Sequence, residues 1–133
     1  MKQVNENKQM TDVWRLPAIA PWVKKCGKHP TQKPLSVLSR IILASTKPGA
    51  WILDPFTGSS TTGIASNLLG RRFLGIDKES EYLEISKARK HEIEDLHTFS
   101  SYRKKVKDIA LLDKEMASLF VYEEDFTGHD LPF

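Results

Sequence analysis

The chain has 133 residues, 40% hydrophobic and 28% charged, with a formal net charge of +3, which suits one small domain with a modest core and requires no second. No apolar run approaches 18 residues and no charged-then-apolar leader is visible, so neither a membrane span nor a secretory signal is expected, leaving a soluble, cytoplasmic protein as the default. The single cysteine, Cys26, excludes an internal disulfide and has no CxxC partner for zinc, so no metal site is expected.

The charge is unevenly placed. Residues 1–50 carry nine Lys/Arg against two Asp/Glu, whereas residues 51–133 carry eleven against fifteen. A basic N-terminal segment beside a slightly acidic remainder points to a polyanion on that side, because phosphate contacts come from Lys and Arg; the alternative is a solvated arm.

Residues 1–10 are polar without apolar period. From Thr11 to Lys28 the breakers Pro17, Pro21 and Gly27 interrupt isolated apolar residues, which reads as extended chain, and Trp14 and Trp22 need something to cover them. Pro34 suits the first turn of a helix running to Thr46, with Leu35, Leu38, Ile41, Ile42 and Ser45 on one face. Lys47-Pro48-Gly49 ends it. A strand over Ala50–Leu53, a turn from Asp54 to Thr62 and a helix from Gly63 to Leu69 follow, broken at Gly70-Arg71. Arg72 to Ile76 reads as a second strand ending at Asp77. A long amphipathic helix is predicted from Glu79 or Ser80, with Tyr82, Leu83, Ile85, Ala88, Ile93 and Leu96 apolar. Past residue 100 another helix is predicted from Val106, Ile109, Leu112 and Met116. Leu119–Tyr122 has the composition of a third strand, and the acidic tail after it reads as disordered.

The order strand, turn, helix, strand, acid resembles the first half of a doubly wound nucleotide fold, in which a ligand lies across the carboxyl ends of the strands. GxxxxGK[ST] and GxGxxG are both absent, which excludes a P-loop and the dinucleotide turn. One glycine and a carboxylate, Asp54, suit a ligand with a cationic end, such as S-adenosylmethionine, and the second acid, Asp77, suits ribose hydroxyls. Taken singly, each acid has a plainer reading as a turn or cap carboxylate. The pair, each at a strand end with Gly58 between, favours the ligand.

Three segments carry a family resemblance: His29-Pro30-Thr31-Gln32-Lys33-Pro34-Leu35, Trp51 through Thr62, and Arg72-Phe73-Leu74-Gly75-Ile76-Asp77 through Glu81-Tyr82. Together with the lead-in Asp12-Val13-Trp14, they resemble the bacterial amino-methylating DNA methyltransferases of restriction-modification systems, in the circularly permuted class that makes N6-methyladenine or N4-methylcytosine. The resemblance covers residues 11–90. It implies a partial, Rossmann-like α/β methyltransferase fold with an incomplete doubly wound sheet. It also implies an S-adenosylmethionine site built from Thr31, Lys33, Asp54, Pro55, Phe56, Gly58, Ser59, Ser60, Thr61, Thr62 and Asp77, with Thr31, His29 and Lys33 closing one side. The family usually has glycine where Ser60 stands; a serine there could cap the helix but adds a Cβ where the cofactor approaches. The implied organisation is residues 1–28 as a basic extended segment ending the target-recognition region, 29–100 as the cofactor-binding α/β region, and 101–133 as a C-terminal helix and tail.

Methyl transfer to an exocyclic amine needs the base swung out and held by an aromatic ring and hydrogen bonds. The family does this with an Asp/Ser/Asn-Pro-Pro-Tyr/Phe tetrad, which this chain lacks, so no catalytic residue is assigned. The implied function is the cofactor-binding part of an enzyme that methylates adenine N6 in double-stranded DNA, alone inactive, with the missing N-terminal half of the enzyme as partner. The alternatives are an N4-cytosine enzyme, a non-catalytic remnant or binding subunit, and a methyltransferase of RNA or small molecules. A half-sheet with an exposed edge further implies marginal stability or aggregation in isolation.

Overall fold

The computed structural model describes residues 8–9, 11–16, 18–19, 21 and 32–124, with side chains as far as 118. Pro34, with φ −60° and an extended ψ, precedes α1 (Leu35–Ser45) and accepts from the Val37 amide at 3.1 Å. Thr46 closes the helix, its backbone N–H and Oγ1 both donating to Ile42 O at 3.0 and 2.7 Å. Gly49, at φ +79°, makes the turn into β1 (Trp51–Asp54). After the turn come α2 (Thr61–Leu68), β2 (Arg72–Gly75), α3 (Ser80–Glu92), α4 (Leu96–Lys105) and α5 (Lys107–Glu124).

The strands run parallel with Trp51 opposite Arg72, Ile52 opposite Phe73, Leu53 opposite Leu74 and Asp54 opposite Gly75. Helix α1 packs on α2 and α5, α2 on β2, and α4 on α5. The core lies among these helices: Leu35 and Ile42 from α1, Ile64, Ala65 and Leu68 from α2, and Tyr102, Val106 and Ile109 from the C-terminal pair. Ile52 and Phe99 pack against its margin. Arg71 ties the end of α1 to the α2–β2 connection, donating to Thr46 Oγ1 at 3.1 Å and Thr46 O at 2.8 Å. Arg103 binds the end of α2 through Leu68 O and grips Asp113 of α5. Trp14, left uncovered by the sequence pattern, lies under the Arg40 guanidinium, 5.6 Å from the ring centroid. Trp22 lies outside the described residues. No helix among the described residues is long and apolar enough to cross a membrane.

The structure corrects the predicted elements at four places. In α1 the buried polar residue is Ser39, while Ile41 and Ser45 are exposed. Helix α3 stops at Glu92, and a new helix starts at Leu96 behind Asp95. Leu96 is therefore out of phase with Tyr82 and Leu83 and lies exposed. The expected division at residue 100 falls inside α4. Leu119–Tyr122 is the helical continuation of α5, not a strand: three β-prone residues, Phe120, Val121 and Tyr122, joined to a helix already three turns long keep its hydrogen-bond ladder. The tail from residue 125 lies outside the described residues.

Asp95 caps α4, its carboxylate accepting from the Thr98 amide at 2.8 Å. That amide, with the Thr98 hydroxyl, holds the Asp95 carboxyl below the usual carboxylate range. A depressed folded pKa makes the cap's contribution complete above the ordinary Asp value and lost as pH falls through the folded one. Helicity at 222 nm followed from pH 5 to 2 is expected to show this acid-side loss. In Asp95→Asn, which still caps but does not titrate, the component is expected to vanish.

Candidate cofactor-binding site

The turn after β1 is built by the two strand-end carboxylates. Asp54 accepts from the Phe56 amide at 3.1 Å through one oxygen and from Thr62 Oγ1 at 2.6 Å through the other, joining the strand end to the first turn of α2. Asp77 accepts from the Gly58 amide at 2.8 Å and the Glu79 amide at 3.0 Å. Backbone bonds complete the frame, with Ile76 N donating to Asp54 O at 2.9 Å and Thr57 N to Ile76 O at 3.0 Å. The two acids thus shape the same loop from opposite sides.

Two residues of this loop are left-handed, Gly58 at φ +50° and Ser60 at φ +58°. Glycine reaches that region freely, while a residue with a Cβ is strained there by about 1–2 kcal/mol. The Ser60 side chain makes no capping hydrogen bond to α2, so the expected cap is absent and backbone conformation is the reason a glycine fits this position. Ser60→Gly is expected to raise stability by about 0.5–1 kcal/mol, the relief of strain less the added chain entropy, measured by urea unfolding.

From α3, two residues reach back to the loop. Ser86 Oγ donates to Gly58 O at 3.0 Å. Arg89, buried although it lies on a strongly polar helix, donates through Nη1 to Ser59 O, to Ser59 Oγ at 3.2 Å and to Thr61 Oγ1 at 3.2 Å. Neither was singled out from the sequence. The signal was their spacing, since Leu83, Ser86 and Arg89 share one helical face.

Lys33, Asp54, Phe56, Gly58, Ser59, Thr61 and Thr62 line one cleft of about 180 Å3, joined by Gln32, Leu38 and Thr57. Gln32 is buried, Lys33 exposed, and Phe56 is 87% exposed. Thr57 is buried, and its Oγ1 has no hydrogen-bond partner among the described residues. Pro55 and Asp77 are outside the lining: Pro55 is on the exposed outside of the turn and Asp77 is behind it, on the Gly58 amide. Ser60 faces a second groove with Gly63, Phe73, Gly75, Leu83 and Lys87, where the Phe73 ring occupies the space a Cβ on Gly63 or Gly75 would take. Thr31 and His29 lie outside the described residues. Among the described residues no cluster of His, Cys, Asp and Glu is placed to hold a metal ion.

The chain resembles two solved structures over less than half its length. "Crystal structure of M1.HpyAVI-SAM complex" is 50% identical, with a TM-score of 0.46 over 47% of this chain and 30% of that one. "Crystal structure of M1.HpyAVI" is 46% identical, with a TM-score of 0.43 over 46% and 31%. Among curated proteins, type II methyltransferase M2.MboI of Moraxella bovis is 61% identical over 93 residues, 70% of this chain and 34% of the relative. Type II methyltransferase M2.DpnII of Streptococcus pneumoniae is 58% identical over 89 residues, 67% and 33% respectively. The chain thus spans about a third of the length of the curated relatives it matches. The sequence model of the N6/N4 DNA methylase family matches residues 1–88, and the chain belongs to that DNA methylase family.

Proposed function

We propose that this chain is the cofactor-binding portion of a DNA methyltransferase that transfers methyl from S-adenosylmethionine to adenine N6 in double-stranded DNA. The observation that carries the reading is the loop of residues 54–62, held between two strand-end carboxylates at the start of α2 and opening on a cleft lined by Asp54, hydroxyls and exposed Lys33. The donor set fits the cofactor. Asp54 lends negative potential where a sulfonium and an ammonium would lie. The N–H groups of the first turn of α2, which have no intrahelical acceptor, together with Lys33, suit a carboxylate. Thr57 Oγ1 is a buried hydroxyl in need of a partner. About 180 Å3 is below the roughly 300–1,000 Å3 of a complete small-molecule site, so these residues form one wall of it. When bound, the cofactor supplies an electrophilic methyl group on its sulfonium. Gly58 and Ser59 bring backbone close to the ligand, and Asp77, outside the lining of this cleft, fixes the loop through the Gly58 and Glu79 amides.

The chain contains no Asp/Ser/Asn-Pro-Pro-Tyr/Phe tetrad, so the group that presents the base comes from the remaining part of the enzyme. That same observation favours a second reading, a binding subunit without catalysis of its own. Calorimetric titration of S-adenosylmethionine into the chain tests the site, and saturable heat is expected. No heat in the presence of the rest of the enzyme would sink the cofactor reading. Methyl transfer from tritiated cofactor to DNA separates enzyme from binding module, and N6- against N4-methyl products separate adenine from cytosine.

A further inference from the structure

We propose that Arg89, with Ser86 one helical turn before it, is the positioning residue that turns the donors of the 54–62 loop toward the carboxylate of the bound cofactor. The proposal rests on the reading of the chain as the cofactor-binding portion of a methyltransferase. In α3 the buried residue is Arg89, 4% exposed, the others being exposed or half-buried. A buried guanidinium carries a large desolvation cost unless it is hydrogen-bonded, and this one bonds the loop: its Nη1 donates to Ser59 O, Ser59 Oγ and Thr61 Oγ1. Ser59 and Thr61 line the cleft, whereas Arg89 and Ser86 do not. Both α3 residues therefore act through the loop, from behind it.

These bonds fix which way the donors point. A hydroxyl that accepts from Arg89 keeps its own hydrogen for a further acceptor, and none for Ser59 Oγ or Thr61 Oγ1 lies among the described residues. The backbone is turned the same way. Ser86 Oγ holds the Gly58 carbonyl at 3.0 Å, and in a trans peptide the following N–H points opposite the carbonyl. The Ser59 amide is thus directed away from α3, to the side on which Gly58, Ser59 and Thr61 line the cleft. It has no acceptor among the described residues although Ser59 is itself 4% exposed, and amides so covered are nearly always paired. One amide and two hydroxyls are left facing one cleft. Donors gathered without an acceptor match an anion, and the anionic group of S-adenosylmethionine is its carboxylate.

The test titrates S-adenosylmethionine and its decarboxylated analogue, which keeps the sulfonium and the ammonium, into the full chain by calorimetry. Wild type is expected to prefer S-adenosylmethionine by about tenfold or more, the scale of one hydrogen bond to a charged group. Arg89→Met is expected to weaken S-adenosylmethionine about ten- to thirtyfold and the analogue less than about threefold, so that the preference disappears. Arg89→Lys, which keeps the charge and one donor nitrogen, is expected to regain part of it. Lys87→Met, which removes a positive charge from the exposed side of the same helix, is expected to leave both affinities unchanged. Urea unfolding reports whether each variant is folded. Ser86→Ala, which loses a single hydrogen bond and is expected to lower the preference about three- to fivefold, carries the test if Arg89→Met does not fold. Equal weakening of both ligands, an undiminished preference in the variants, or a wild type that does not distinguish the ligands would overturn this proposal and leave the cofactor reading standing. A wild type that binds neither ligand, with the rest of the enzyme present, condemns both.

Discussion

Arg40→Met is expected to lower the unfolding free energy by about 3–5 kcal/mol, the cost of stranding one half of a buried ion pair. Arg40 of α1 meets Asp108 of α5 in a two-pronged contact, Nε to Oδ2 at 2.6 Å and Nη2 to Oδ1 at 2.7 Å, and the Asp108 side chain is only 3% exposed. Removing Arg40 leaves that carboxylate without its counter-ion in the core beside Val106 and Ile109, and also uncovers Trp14. Asp108→Asn is expected to cost less, about 1–3 kcal/mol, because Arg40 is 14% exposed and can regain water. The double variant Arg40→Met with Asp108→Leu is expected to recover most of the loss, since apolar replacement of both partners is often neutral. Urea titration of the four proteins checks this. The result bears on architecture, because residues 1–88 contain the family match while α5 lies beyond it. If the pair welds α5 to α1, wild type unfolds in one transition and Arg40→Met shows a separate early loss of C-terminal helicity.

How much of this was legible in the sequence depended on whether a residue's role was local. Pro34, the Lys47-Pro48-Gly49 break and the two short strands follow from backbone rules that act over a few residues, and they fall within one or two positions of where they were read. Ser60 was read as a residue that would crowd the cofactor; its left-handed φ is a property of the folded turn that no residue type announces. Asp95 carried a legible signal, an acid three residues before the Thr98 amide it caps, but the apolar spacing of Ile93 and Leu96 outweighed it. Arg40 with Asp108, 68 residues apart, and Arg89 with Ser59 are products of tertiary packing, and charge alone pointed to solvent. Both acids were read as ligand groups. Each also holds the loop together, and that second role sets what a substitution can reveal.

Asp54 is where the two roles can be separated. Asp54→Ala removes the acceptor of both the Phe56 amide and Thr62 Oγ1. Hydrogen bonds to a charged group contribute about 1.5–3 kcal/mol each when lost, and because the Phe56 bond is exposed to solvent the expected stability decrease is below that sum, about 2–4 kcal/mol, together with loss of cofactor binding that says nothing about electrostatics. Asp54→Asn is the informative variant. Its Oδ1 still accepts from Phe56, and its Nδ2 can donate to Thr62 Oγ1, whose hydroxyl accepts as readily as it donates. The loop is then expected to stay within about 1 kcal/mol of wild type, with only the charge gone. Against that background S-adenosylmethionine is expected to bind about ten- to a hundredfold more weakly, a loss of roughly 1.4–2.7 kcal/mol. S-adenosylhomocysteine, which keeps the ammonium but lacks the sulfonium, divides this loss. Equal weakening of both ligands means that Asp54 addresses the amino group, and a selective loss of S-adenosylmethionine means that it faces the sulfonium whose methyl is transferred. Unchanged affinity of a folded Asp54→Asn for both ligands would reduce Asp54 to a loop brace and move the electrostatic role elsewhere in the cleft.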